Sequence, residues 1–125
     1  MTYTERHQKL AYRIALNSES KFRLGAVLAK GSKVLNVGIN NMSKTHPSTQ
    51  KFTRRPLGTH AEFSACRGVE TEDIIGSTIY VCRVLKNNLI ALAAPCECCT
   101  QFLKMFGVRG VYYSTNNNIF EFKRI

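Results

Sequence analysis

A chain of 125 residues makes about one domain and is long enough to bury a core without disulfide staples. Its 44% hydrophobic and 21% charged residues are the proportions of a soluble globular protein, and no apolar run approaches the roughly 18–20 residues of a membrane span. Eighteen Lys and Arg against eight Asp and Glu leave a net charge of +10, which favours an anionic partner such as a nucleotide, a nucleic acid or an anionic surface, solubility being the plain alternative.

The start, MTYTERHQKLAYR, is polar where a secretory signal has an apolar block, so a cytoplasmic location is expected. From Thr4 to Asn17, Leu10, Ala11, Ile14 and Ala15 recur at helical spacing, with Tyr3 and His7 extending the stripe. Thr2 or Thr4 can cap this helix and NSES ends it. LGAVLA and VLNVGIN flank KGS and read as a hairpin. A polar, basic loop follows from Asn41 to Gly58. THAEFSACRG then predicts a short helix capped by Thr59 and stopped by Gly68. STIYVCRVL is rich in strand formers. Pro95 opens a second short helix, CECCTQFLKMF, which ends at Gly107. VRGVYYST and IFEFKRI are strands joined by a polar NNN turn. The order is α-β-β-α-β-α-β-β. Strand–helix–strand units predict a parallel core, with hairpins at each end of the chain.

The five cysteines are Cys66, Cys82, Cys96, Cys98 and Cys99. Three clustered thiols do not make a disulfide framework and point to metal or redox chemistry. Cys96 and Cys99 are three apart, about 60° from one another around a helix, so both sulfurs share one side. Both lie at a helix start, where free N–H groups favour thiolate. Cys98 lies roughly 200° round from Cys96 and faces elsewhere. His60, in the segment HAE, also stands at a helix start, 36 residues before Cys96. If the two helices follow parallel neighbouring strands, one imidazole and two thiolates converge on a tetrahedral metal. Three protein ligands leave the fourth position for water, the catalytic type of site. Glu62, two residues from a ligand, reaches that water without binding metal.

At these residues the chain resembles the cytidine/deoxycytidylate deaminase superfamily of zinc-dependent nucleobase deaminases, whose signature is H-x-E followed by P-C-x-x-C. Here the two parts stand as HAE and PCECC. FRLGAVLAKGSKVLNVGIN resembles the superfamily's opening hairpin, and PCECCTQFLKMFGVRGVYYST its second zinc helix and following strand. The likeness runs from about Lys21 to Thr115. It implies one zinc-dependent domain over residues 1–125 with a three-layer α/β/α fold. The sheet would be mixed and five-stranded, its last two strands antiparallel because STNNNIFEF reads as a hairpin. It implies one Zn²⁺ held by His60, Cys96 and Cys99, with Glu62 as the catalytic proton carrier in hydrolytic deamination. Asn40, in GIN, would hold a sugar and Phe22 would flank the base, with Ala61 and Pro95 also in contact with substrate.

Plain alternatives stand beside these roles. Thr59 and Glu62 form T-x-x-E, a capping box. A closed structural zinc site would take Cys98 or His46 as fourth ligand. His7 reads as a packing or surface residue, Cys66 and Cys82 as packing residues, Phe22 as core, and Asn40 as a turn cap.

The basic loop ends one residue before His60, so Lys44, Lys51, Arg54 and Arg55 are candidates for phosphate binding at the mouth of the site, or simply a solvated loop. No acid follows Asn40 closely in GINNMSK, unlike the ribose-binding Glu common in free cytidine deaminases. The final hairpin, however, resembles those enzymes. The expected substrate is therefore cytosine in a free (deoxy)cytidine nucleoside or its monophosphate. The alternatives are a base deaminase acting on single-stranded DNA or RNA and a non-catalytic zinc-stabilised module. A homo-oligomer without membrane contact completes the expectation.

Overall fold

A computed structural model describes residues 2–19, 23–40 and 60–125. The opening helix, α1 (Tyr3–Leu16), starts where Thr2 accepts a hydrogen bond from the Glu5 amide at 3.2 Å. One face of it buries His7, Ala11 and Ala15, three residues of the predicted stripe. The expected hairpin follows as β1 (Arg23–Lys30) and β2 (Lys33–Ile39), turned at Gly31 with φ +60. Then come α2 (Ala61–Cys66), a single-turn α3 (Thr71–Ile74), β3 (Thr78–Val84), a two-residue β4 (Ile90–Ala91), α4 (Glu97–Met105), β5 (Gly110–Ser114) and β6 (Phe120–Arg124).

The strands form a six-stranded sheet ordered β2-β1-β3-β5-β6, with β4 pairing the end of β3. The sheet is mixed, as expected. The predicted parallel core reduces to one pair, β3 with β5, and every other pairing is antiparallel. The predicted five strands are the main path. β4 was not anticipated, because two residues are too short to show alternation. The turn before it, in LKNNL, was not read from the sequence either; Asn88 takes the left-handed conformation at φ 67 that Asn tolerates. Asn118, at φ 63, does the same in the NNN hairpin between β5 and β6.

Alternation along the strands sends side chains to two layers. On one face Val27, Ala29, Tyr80 and Cys82 pack with Ala11 and Ala15 of α1. On the other, Ala26, Leu28, Ile79 and Val81 pack with Phe63 of α2 and Phe102 and Leu103 of α4. Two glycines set how closely helices approach. A Cβ on Gly25 would stand 2.3 Å from the Ala15 nitrogen of α1, and one on Gly38 would stand 2.5 Å from the Ala65 nitrogen of α2. These are sub-contact distances, so α1 and α2 rest directly on strand backbone. Cys66 and Cys82 are buried, as read, and His7 is a packing residue rather than a surface one. The His7 Nε2 lies 3.0 Å from the Gly31 carbonyl, and its ring meets Tyr80 edge-on at 5.1 Å.

Candidate functional site

β2 and β3 both run antiparallel to β1, so they point the same way across it. They are not neighbours, as the sequence reading supposed; β1 lies between them. The helices after them nonetheless begin at one edge of the sheet, because the common strand direction is what matters.

Each helix begins at a ligand. His60 is the N-cap of α2, extended at φ −76 and ψ 151, with no side-chain capping bond of its own. The cap is therefore one residue later than the predicted Thr59. This puts Glu62 at the second helical position rather than the third that a capping box requires. Cys96 is the N-cap of α4, one residue after Pro95, and its sulfur accepts from the Cys99 amide at 3.4 Å. Thiolate takes the role Ser or Asp plays at other caps.

The His60 Nδ1 lies 2.9 Å from the Cys99 sulfur and 3.6 Å from the Cys96 sulfur. All three donor atoms fall within 4.8 Å of one another. Zinc–nitrogen and zinc–sulfur bonds of about 2.0–2.3 Å in a tetrahedron separate donors by roughly 3.5 Å. The set fits one zinc ion with a position left open. Among the described residues no other group of three such side chains meets.

The electrostatics match that use. A hydrogen bond from the Cys99 thiol, and then one with His60, hold the exposed Cys96 thiol down at about 4 against a partial desolvation. The same thiolate, hydrogen-bonded to His60, raises the imidazole's pKa. Cys99 moves upward because it supplies the proton in that bond, and burial adds to the shift. Cys98 is half-buried on the first turn of α4, outside the ligand group. Glu62 is 5% exposed, and desolvation raises its carboxyl above the ordinary range, with His60 opposing.

A cavity of about 390 Å³ opens over these residues, within the range of small-molecule sites. Its floor is His60, Ala61, Glu62 and Cys96. Leu24 of β1, Arg83 of β3, Asn40 after β2 and Leu92 to Ala94 after β4 complete the lining. Asn40 is 3% exposed. Its Oδ1 accepts from the Ser18 hydroxyl at 2.7 Å and the Leu24 amide at 3.0 Å, which orients the carboxamide. The segment from β4 to Ala93 is tied to β5: the Ala93 amide donates to the Ser114 carbonyl, and the Ser114 hydroxyl donates to the Ala91 carbonyl.

Of the predicted contacts, Ala61 and Asn40 line the cavity, and Pro95 stands between the lining residues Ala94 and Cys96. Phe22, Lys44, His46, Lys51, Arg54 and Arg55 lie outside the described residues. The sequence reading missed Arg83. Its signal was a single charge inside the otherwise apolar strand IYVCRVL.

Among known proteins, the family model for the cytidine and deoxycytidylate deaminase zinc-binding region matches residues 1–115. No curated protein sequence matches the chain. Of solved structures, the dCMP deaminase from the cyanophage S-TIM5 in apo form is similar with a TM-score of 0.59 and 23% identity, over 86% of this chain and 78% of that one. The same enzyme in complex with dCMP and dUMP gives 0.60 and 22%, over 86% and 77%. A RibD from Acinetobacter baumannii gives 0.46 and 22%, over 87% of this chain and 26% of that one. The likeness to the cyanophage enzyme is one of fold.

Proposed function

Because the chain belongs to the cytidine and deoxycytidylate deaminase family, we propose that it hydrolyses the amino group from cytosine in a free (deoxy)cytidine nucleoside or its monophosphate, giving uracil and ammonia. The observation that carries this reading is Glu62, buried beside the His60, Cys96 and Cys99 set on the floor of a nucleoside-sized cavity.

His60, Cys96 and Cys99 would hold the zinc, which when bound would lower the pKa of a water at its open position. Glu62 accepts the proton of the attacking water. Burial raises the pKa of its carboxyl, which favours uptake of that proton. Glu62 passes this proton to ring N3, then takes the second from the hydroxyl now on C4 and passes it to the departing amine, so ammonia leaves as the C4 carbonyl forms. Ala61, fully buried, sets the floor under the base. The Asn40 amide, oriented by Ser18 and Leu24, donates toward the sugar. The antiparallel pairing of β5 with β6 agrees with the free-nucleoside branch of the family. The reading also takes Lys44, Lys51, Arg54 and Arg55, which lie outside the described residues, as candidate phosphate contacts.

The test incubates zinc-loaded protein with cytidine, deoxycytidine, their monophosphates and single-stranded oligonucleotides, following ammonia and the uracil product. Turnover of a free nucleoside or nucleotide is expected. Turnover of oligonucleotides alone overturns the substrate assignment. Bound zinc without turnover of any substrate leaves a binding module.

A further inference from the structure

The cavity's wall carries a cation that the chemistry above does not use. Arg83 sits near the end of β3, opposite Leu24 on one side and Ala91 on the other. Its backbone amide donates to the Ser114 hydroxyl at 3.0 Å, so the strand there is tied to β5 as well. Leu24 is in turn joined to Asn40 through the Asn40 amide and Oδ1. Asn40, Leu24, Arg83 and Ala91 therefore form one row across four strands at the open edge of the sheet. Alternation fixes the side Arg83 faces. Ile79 and Val81 point to the layer of α2 and α4, while Tyr80, Cys82 and Val84 point to α1, so Arg83 faces the metal-ligand side. Its place in the cavity lining agrees.

Two strand spacings of about 4.8 Å separate Asn40 from Arg83. A nucleoside with its base over Glu62 and its sugar near Asn40 lies within reach of a long guanidinium two positions along the same row. A guanidinium is the side chain best suited to phosphate, because its planar fork gives paired, charge-assisted hydrogen bonds. We propose that Arg83 binds the 5′-phosphate of a cytosine mononucleotide and makes the pocket selective for the monophosphate over the free nucleoside. This rests on the deaminase reading for the pose of the base.

The experiment compares zinc-loaded native protein with Arg83→Gln and Arg83→Lys, each checked for zinc content and Tm. Arg83→Met, which keeps the apolar stem, replaces Arg83→Gln if the latter fails to fold. kcat/KM is measured for dCMP, deoxycytidine and an oligo-deoxycytidine strand. Affinity for the same three is measured in a Glu62→Gln background, where turnover does not intervene. Arg83→Gln should weaken dCMP about 100-fold, chiefly in KM and Kd, a size expected for losing a charged hydrogen-bond pair. The loss on deoxycytidine should be about threefold or less, and Arg83→Lys should recover part of the dCMP affinity. Equal losses on dCMP and deoxycytidine would make Arg83 a structural residue and overturn the proposal. So would an unchanged response to dCMP. An Arg83-dependent preference for the strand over dCMP would assign the cation to a polynucleotide instead. If native protein turns over none of the three yet binds dCMP in an Arg83-dependent way, the deaminase reading fails and the phosphate site stands.

Discussion

The Cys99 amide donates to the Cys96 sulfur at 3.4 Å, so one metal ligand caps the helix that carries the other. The spacing C-x-x-C thus does two jobs: it gathers two sulfurs and it aims one of them back onto the helix start.

Metal retention should therefore discriminate among the three clustered cysteines. Cys96→Ser and Cys99→Ser each remove a ligand and should lower zinc affinity by two orders of magnitude or more. Cys98→Ser should retain one zinc per chain. Metal content after dialysis against a competing chelator reads the difference.

Glu62→Gln keeps the shape of the side chain but removes the group that carries protons. Turnover should fall about 10²–10⁴-fold while zinc stays bound. Full turnover in this variant would refute the proposed chemistry.

Thiol reactivity should separate the cysteines by pH. Burial pushes Cys66 up to about 12 and Cys82 up to about 11. Both therefore remain thiols at pH 8 and resist alkylation until the chain is denatured. Cys96 is shifted the opposite way, to about 4, so it is thiolate at any pH above that value. Removing zinc should expose an alkylation site at Cys96 that persists down to about pH 5. Mass spectrometry of alkylated peptides with and without chelator checks both statements.

Gly25 and Gly38 offer a matched pair. An added methyl would meet α1 backbone at 2.3 Å in one and α2 backbone at 2.5 Å in the other. Each Gly→Ala change should cost about 1–3 kcal/mol of stability. Only Gly38→Ala should also weaken zinc binding, because α2 carries His60. Thermal melts and a zinc titration on both variants test this.

Much of the site was legible because its chemistry is local. HAE and PCECC each place their ligands at a helix start, and that signal does not depend on how the sheet is ordered. The helix starts themselves were misread: His60 rather than Thr59 caps α2, and α4 begins at Glu97, capped by Cys96, rather than being opened by Pro95. Capping preference favours Thr and Pro, but the bonds actually made at these ends decide. Strand neighbours were harder. The sequence shows that β2 and β3 precede helices, yet the insertion of β1 between them comes from long-range pairing. Arg83 was invisible for a related reason: only the row joining it to Leu24 and Asn40 turns a lone charge in a strand into a pocket wall.

His60 sits on one crossover helix, and Cys96 and Cys99 on the next, with all of β3 threaded between them in the chain. No short peptide contains the whole ligand set, so the sheet must assemble before three donors can meet. Zinc here follows folding rather than starting it, unlike the ion of a zinc finger. Once bound, it acts as a bolt between two connections that the chain itself joins only through a strand. With zinc bound, any sliding of α2 against α4 would stretch a metal–ligand bond, and Glu62, the proposed proton carrier on α2, would hold its distance from the ion for the same reason.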